Sequence, residues 1–175
     1  SGNTYKGIEV ICEALNELNQ IGMVVKWQVA GIEPDAPIIK AVKRKLGSKY
    51  PPKGLQLMGR LTADKLIAKM KEADLYVMAS HIENSPNSLC EAMLLGMPCI
   101  ASHAGGTSTL IKDRKNGILV QDGDPVALAG HIVELLENRE KAIDYGKQAR
   151  EDALVRHDPN NMVSQLIETY KAIIK

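Results

Sequence analysis

Short apolar segments alternate with helical stretches along most of this chain, and this alternation is what most constrains its fold. Five apolar segments have the length of buried strands, namely residues 23–30, 55–58, 75–79, 99–101 and 118–120. Parallel strands need a crossover connection, usually a helix, between one strand and the next. The alternation therefore predicts an α/β fold with a parallel, doubly wound sheet and helices on both faces.

The helical stretches show apolar residues at helical spacing, between residues that begin or end helices. We predict helices at residues 8–18, 35–46, 63–72, 86–95, 108–112, 125–136, 141–155 and 160–174. Thr62, Ser85 and Asp124 are the predicted N-caps, and Pro86 would be the first residue of its helix. Because the chain opens with a helix, we expect a piece of a longer protein whose sheet lacks its first strand, with extra helices at the C-terminus.

Length and composition exclude several classes of function. The 175 residues fit one domain with a sizeable core, and the net charge of +1 gives no field that would attract nucleic acid. No apolar run approaches the ~20 residues of a membrane span, and no signal peptide opens the chain. Three cysteines without ligand-like spacing favour reduced thiols in a cytoplasmic protein. Of these, Cys90 and Cys99 are predicted to be small buried hydrophobes.

Basic residues cluster in and after the helix predicted at 35–46. They are Lys40, Lys43, Arg44, Lys45, Lys49 and Lys53. A solvated helix face is the favoured interpretation. Peripheral contact with an anionic membrane surface is the alternative, although this helix lacks the large apolar face of interfacial helices.

Residues 80–106 join two strand ends, and ligands of parallel sheets bind beyond the carboxyl ends of the strands. Two groups of amides in this stretch would suit a phosphate or diphosphate. A helix beginning after Ser85 would leave the amides of residues 87–89 free at the positive end of its dipole. Gly105, Gly106 and Thr107 would form an anion-binding nest. A capped helix and an ordinary turn explain these residues equally well.

Two glutamates of the same stretch, Glu83 and Glu91, are separated by seven residues. A carboxylate accepts hydrogen bonds from sugar hydroxyls, so the pair would suit a sugar next to a phosphate. The simpler alternatives are a glutamate favoured near a helix N-terminus for Glu91 and a solvated loop acid for Glu83.

The motif ENSPNSLCEAMLLGMP at residues 83–98, followed by Gly105 and Gly106, closely resembles the group 1 retaining glycosyltransferases of the GT-B fold. Their signature has two glutamates seven residues apart, the second opening Glu-Ala-Met, then Gly-x-Pro and a Gly-Gly loop. The resemblance extends upstream to Lys6 and Gly7 and downstream to residues 115–120 and 124–125. It therefore covers nearly the whole chain in order.

The resemblance implies that residues 1–175 form a single Rossmann-like domain, the C-terminal donor-binding half of a two-domain enzyme whose N-terminal acceptor domain is absent. The full-length protein would be a glycosyltransferase of the hexosyltransferase type. It would transfer sugar from a UDP-, GDP- or ADP-sugar to a saccharide or lipid-linked acceptor, with retention and without a metal or other cofactor. Its expected place is the cytoplasm or the inner face of the membrane.

The resemblance also gives roles to single residues. Glu83, close to the donor sugar, and Lys6, which neutralises the diphosphate, would be catalytic, and Glu91 would bind the ribose hydroxyls. The other residues expected to contact the nucleotide sugar are Asn84, Ser85, Pro86, Asn87, Ser88, Leu89, Gly31, Gly59, Arg60, Leu61, Gly105, Gly106 and Thr107.

Three features depart from the family pattern. The family pairs its lysine with an arginine a few residues earlier, and this chain begins after that position. The Gly-Gly loop usually leads to a glutamate, whereas residues 107–110 read TSTL. No acceptor domain is present. We therefore expect the chain alone to bind nucleotide weakly and not to complete a transfer.

Other residues near the site favour simpler interpretations. Asp122 and Asp124 form an Asp-x-Asp motif, which holds a metal in another glycosyltransferase fold. Here they precede Pro125 and predict a turn followed by an N-cap. His81 and His103 flank the site. A solvated loop histidine is the favoured interpretation of each, and contact of one of them with the sugar is the alternative.

Two rival functions remain open. A nucleotide-sugar epimerase or a phosphorylase of the same architecture would bind a similar ligand. A non-enzymatic, flavodoxin-like module such as a receiver would need clustered acids at the ends of its first and third strands. The first predicted strand ends at Ala30 and Gly31, which supply none.

Overall fold

The computed structural model describes residues 4–174, which form five strands and seven α-helices. The strands are β1 (Trp27–Val29), β2 (Leu55–Leu57), β3 (Tyr76–Met78), β4 (Cys99–Ser102) and β5 (Ile118–Val120). The helices are α1 (Ile8–Gln20), α2 (Pro37–Leu46), α3 (Ala63–Lys71), α4 (Asn87–Leu94), α5 (Pro125–Glu137), α6 (Arg139–Arg156) and α7 (Pro159–Ile173). Short 3₁₀ turns lie at Thr4–Lys6, Gly47–Lys49 and Gly105–Thr109. The predicted α/β class is confirmed.

The strands pair in parallel, as the alternation predicts, but they form two hydrogen-bonded groups. β1 pairs with β2. β4 lies between β3 and β5, so that Ile100 is opposite both Val77 and Ile118. The two groups are separate, because β1 and β3 do not share a ladder.

A cleft of about 350 Å³ lies between the two groups of strands. It is lined by the end of β1 at Val29 and Ala30, by β3 at Val77 and Met78, and by Ile11 of α1. In a doubly wound sheet of order 3-2-1-4-5-6, the first strand lies between the second and the fourth. The cleft occupies that place, which agrees with the expectation that the sheet lacks its first strand.

Helices cover both faces of the strands, and β4 shows why. Its residues alternate between the two faces, so that Ile100 packs in one apolar cluster while Cys99 and Ala101 pack in the other. The first cluster includes buried residues of α1, α2 and α5. The second includes buried residues of α3, α4 and α6. The doubly wound arrangement is confirmed.

The last helix, α7, stands outside both clusters. It packs next to α6 but buries none of its side chains. Among residues 4–174, no helix combines the length and the hydropathy needed to cross a membrane.

Two of the three predicted N-cap residues occupy the N-cap position, and one of these makes a side-chain capping bond. The Asp124 carboxylate accepts a hydrogen bond from the amide of Ala127 at 2.8 Å, so α5 begins as predicted. Thr62 is the N-cap residue of α3, as predicted, but its side chain makes no capping bond. The prediction that Ser85 caps α4 and that Pro86 is its first residue is wrong. Pro86 is itself the N-cap, in extended conformation.

The helix predicted at 108–112 is a 3₁₀ turn that begins earlier, at Gly105. The hydroxyl of Thr107 donates to the carbonyl of Ala104 at 2.6 Å, and the amide of Thr107 donates to the same carbonyl at 3.1 Å. These local bonds start the turn directly at the Gly-Gly sequence.

Candidate functional site

The centre of the candidate site is an ion pair between Lys6 and Glu83. The Lys6 ammonium lies 2.5 Å from the Glu83 carboxylate, across 77 residues of sequence. Lys6 ends the 3₁₀ turn before α1, and Glu83 lies in the loop between β3 and α4. The side chain of Glu83 is 10% exposed and that of Lys6 is 35% exposed. Both residues line the cleft between β1 and β3, at the end where these strands finish.

Gly7 allows the segment that carries Lys6 to approach β3. Its φ is +68°, and a Cβ at this position would lie 1.8 Å from the carbonyl oxygen of Ala79, at the end of β3. Any side chain would therefore push α1 away from the strand. The amide of His81 donates to the carbonyl of Tyr5 at 2.8 Å and closes the contact from the other side.

Gly105 and Gly106 lie directly on the backbone of the loop that carries Glu83. Added Cβ atoms would lie 1.7 Å from the carbonyl oxygen of Glu83 and 1.9 Å from that of Asn84, respectively. The amide of Gly106 donates to the Glu83 carbonyl at 3.4 Å, and that of Thr107 is used in its own turn. These two amides are therefore engaged within the protein, unlike the free nest that the sequence predicts. The close contact of two backbones explains the Gly-Gly sequence.

The N-terminus of α4 also differs from the prediction. The amide of Leu89 donates to the carbonyl of Pro86 at 3.0 Å, and the Leu89 side chain is fully buried. Of the three amides predicted to be free, that of Leu89 is thus already bonded. Asn87 and Ser88, which begin the helix, are exposed.

Tyr76 of β3 reaches the start of α4. Its hydroxyl donates to the Ser88 hydroxyl at 2.8 Å. Burial is the main cause that raises the pKa of Tyr76, and the negative charges of Glu83 and Glu91 raise it further. Both carboxylates therefore lie within electrostatic reach of one phenol. Glu91 itself is exposed on α4.

The loops after β1 and β2 meet at the same edge. The amide of Gly31 donates to the carbonyl of Gly59 at 2.7 Å. The Glu33 carboxylate accepts the amide of Arg60 at 3.0 Å and occupies the space that a side chain at Gly59 would need. Leu61 follows, half-buried. Sequence reasoning does not identify Glu33, because its partner is 27 residues away.

The prediction that His81 is a solvated loop histidine is wrong. Its Nε2 lies 2.7 Å from a carboxylate oxygen of Glu9 and its Nδ1 lies 2.6 Å from one of Asp122. The hydrogen bond with Glu9 is the main cause that raises the pKa of His81; burial opposes it, and Asp122 adds to it.

His103 is exposed, as predicted. In the Asp-x-Asp motif, Asp124 caps α5 and Asp122 binds His81, so a turn and an N-cap are confirmed. Within residues 4–174, no group of three or more His, Cys, Asp or Glu side chains is arranged to hold a metal. Cys90 and Cys99 are free and buried, and burial raises the pKa of both thiols.

The fold is shared by solved glycosyltransferase structures. Solved structures with this fold include Anabaena HepE in complex with UDP-glucose, with a TM-score of 0.80, 23% identity, and coverage of 97% of this chain and 46% of HepE. The C-terminal domain of LpcC, a group 1 family protein from Francisella tularensis, has a TM-score of 0.71 and 20% identity, and covers 89% of this chain and 80% of that domain.

Sequence comparison then identifies the family. Residues 1–138 match the family described as glycosyl transferases group 1, and the chain belongs to that family. One relative is the uncharacterized glycosyltransferase MJ1069 of Methanocaldococcus jannaschii, which is 30% identical over 148 residues. The match covers 83% of this chain but only 37% of that relative.

Proposed function

We propose that this chain binds a nucleotide-diphosphate sugar at the edge formed by the β3–α4 loop and the segment before α1. The observation that carries the proposal is the ion pair between Lys6 and Glu83, at 2.5 Å. It places a cation suited to a diphosphate next to a carboxylate suited to sugar hydroxyls. Membership of the group 1 family supports the proposal, as does the complex of HepE, which has the same fold, with UDP-glucose.

Sugar transfer would proceed by release of a nucleoside diphosphate, whose negative charge grows as the glycosyl–phosphate bond breaks. Lys6 would neutralise that charge, and the amides of Asn87 and Ser88 at the start of α4 would add the positive end of a helix dipole. Removal of one such donor typically costs ~3 kcal/mol of barrier. These groups can stabilise the leaving group without a metal, so we propose metal-independent transfer, with retention as the family resemblance implies.

The two glutamates would bind different parts of the donor. Glu83 would lie close to the transferred sugar, because its carboxylate adjoins Lys6 and the diphosphate that Lys6 would hold. Glu91, three residues beyond Ser88 on the exposed side of α4, would accept hydrogen bonds from the ribose. The loops after β1 and β2, with Gly31 in the first and Gly59, Arg60 and Leu61 in the second, would lie against the base.

The acceptor would be held by the remainder of the full-length protein. The chain spans 37% of the length of its M. jannaschii relative, so most of a comparable enzyme lies outside these residues. An N-terminal domain would bind a saccharide or a lipid-linked acceptor. The reaction would take place in the cytoplasm or at the inner face of the membrane.

Thermal unfolding of the full-length protein with UDP, GDP and ADP tests the proposal. At least one nucleotide should raise the Tm, since a ligand at about 100 times its Kd contributes about 2.7 kcal/mol. Glu91→Gln should abolish the gain, and EDTA should leave it unchanged. Glu151→Gln, which removes an exposed carboxylate of α6, is the matched control and should keep the gain.

No Tm gain with any of the three nucleotides would refute donor binding. A gain that EDTA abolishes and Mn²⁺ restores would refute metal independence. Product analysis distinguishes the rival enzymes, because an epimerase would alter the nucleotide sugar without an acceptor and a phosphorylase would require inorganic phosphate.

A further inference from the structure

His81 lies between carboxylates of two elements that are far apart in sequence. Its Nε2 faces Glu9 of α1 at 2.7 Å, and its Nδ1 faces Asp122 of the β5–α5 loop at 2.6 Å. Its own amide donates to the carbonyl of Tyr5 at 2.8 Å. The ring is 27% exposed. One residue thus connects the loop that carries Glu83 to three other places in the chain.

With both carboxylates ionised, this geometry favours the charged imidazolium. A neutral imidazole has one N–H group, and its other nitrogen would present a lone pair to a carboxylate oxygen. The imidazolium donates to both. The second oxygen of Glu9, Oε2, is buried and has no hydrogen-bond partner in the described chain, so His81 is the cation that offsets this carboxylate.

The contacts of His81 join the same two segments as the ion pair of the candidate site. Lys6 bonds to Glu83. Glu9, which comes three residues after Lys6, bonds to His81, which comes two residues before Glu83. The same two segments are therefore joined twice, with the bond between His81 and Tyr5 as a third connection. Loss of the His81 ring contacts would leave the Lys6–Glu83 pair as the side-chain bond between these two segments, beside the backbone bond of His81 to Tyr5. A bound diphosphate would compete for that pair.

We propose that His81 is a positioning residue whose imidazolium holds the loop of Glu83 against α1, so that Glu83 and Lys6 stay in register while the donor binds. The proposal rests on the donor site proposed above. His81 need not touch the donor, because it acts through the loop.

The proposal has a defined pH dependence. The charged groups that face His81 are Glu9 from α1 and Asp122 from the β5–α5 loop, and they raise its pKa above the ordinary 6.5. A group whose pKa is raised by folding contributes fully to stability at pH values below its pKa in the unfolded state. This contribution is lost as the pH rises through its pKa in the folded state. The kcat/KM for donor turnover should therefore decrease as the pH rises through the pKa of His81.

The test uses the full-length protein and measures kcat/KM for donor turnover as a function of pH. His81→Ala should lower kcat/KM roughly 10- to 100-fold at pH 6, the scale expected from a displaced catalytic group, and should remove the alkaline decline that His81 causes. His81→Arg, which offers a permanent cation with several donors, should recover part of the loss and also lack that decline. His157→Ala changes an exposed histidine after α6 and should behave as wild type.

An NMR titration of the His81 ring gives a second readout that does not depend on activity. Glu9→Gln keeps His81 and should move its titration to lower pH. The proposal is overturned if the titration does not move, or if folded His81→Ala retains the wild-type kcat/KM and pH profile. Failure of the wild type to bind any nucleoside diphosphate would refute the donor site instead, and the titration would still decide the role of His81.

Discussion

Three glycines determine how closely the segments of the candidate site approach one another. Gly7 lies against the end of β3, and Gly105 and Gly106 lie against the loop of Glu83. A Cβ added at any of these three positions would lie within 2 Å of a carbonyl oxygen. Backbone carbonyls cannot move aside as a flexible side chain can. The loop that carries Glu83 therefore depends on the absence of side chains at these positions.

Gly105→Ala should destabilise the protein and weaken nucleotide binding. An alanine at φ +51° costs roughly 1–2 kcal/mol, and the new Cβ would also displace the carbonyl of Glu83. Gly22→Ala is the matched control, because Gly22 has φ +81° and nothing within 4 Å of an added Cβ. Chemical denaturation and nucleotide titration of both variants measure the effects.

Gly22→Ala should lose stability but keep its affinity for nucleotide. Equal losses of stability and unchanged affinity in the two variants would show that the contact between Gly105 and Glu83 does not shape the site.

At the residue level, the sequence motif identifies Glu83 and Lys6 as candidates, and the structure brings them together. The motif does not identify His81, because the partners of its ring lie 72 and 41 residues away in the chain. No local pattern specifies such a contact. It depends on how α1 and the β5–α5 loop dock against β3.

Among the helices, capping shows which local signals are sufficient. Asp124 is followed by Pro125, whose fixed φ begins the helix, and its carboxylate reaches the amide of Ala127. Ser85 stands before Pro86 in the same way, but Pro86 is extended, with ψ 97°, and α4 begins one residue later. The chain therefore stays extended through Pro86, whose carbonyl accepts the first amides of α4.

Asp124→Ala should cost about 1 kcal/mol of unfolding free energy, since it removes the N-cap of α5. α5 packs against α1 in the first apolar cluster, so the loss should appear in global unfolding. Thr62→Ala is the control, because Thr62 occupies the cap position of α3 without a side-chain bond.

Urea denaturation compares the two variants. A loss for Thr62→Ala as large as that for Asp124→Ala would show that helix propensity, and not the bond to Ala127, is responsible.

Strand lengths were the least predictable property of the elements. The apolar run at 23–30 predicts a strand of eight residues, but β1 has three, Trp27–Val29. The amide of Met23 bonds to the carbonyl of Leu18 and so closes the end of α1 instead of joining a ladder. Apolar character shows that a segment is buried, whereas its pairing depends on a partner that the segment does not encode.

At the scale of the whole molecule, β1 and β3 each have one edge in a ladder and one edge at the cleft. Tyr76 of β3 donates its amide to the carbonyl of Pro98, next to β4. Successive amides of a strand point to opposite sides, so that of Val77 points to the cleft. By the same alternation, Gln28 directs its amide away from β2. Two strand edges thus face one open space.

If a parallel strand of the full-length protein occupies this space, it would pair with both edges and restore a continuous sheet. The amide of Val77 should then exchange with solvent more slowly in the full-length protein than in the 175-residue chain. The amide of Tyr76 is the internal control, because its bond to Pro98 exists in both. Hydrogen exchange measured residue by residue decides between the two cases. Equal exchange of Val77 in both proteins would show that the edge stays open, and the division of the sheet would then be a property of the full-length protein.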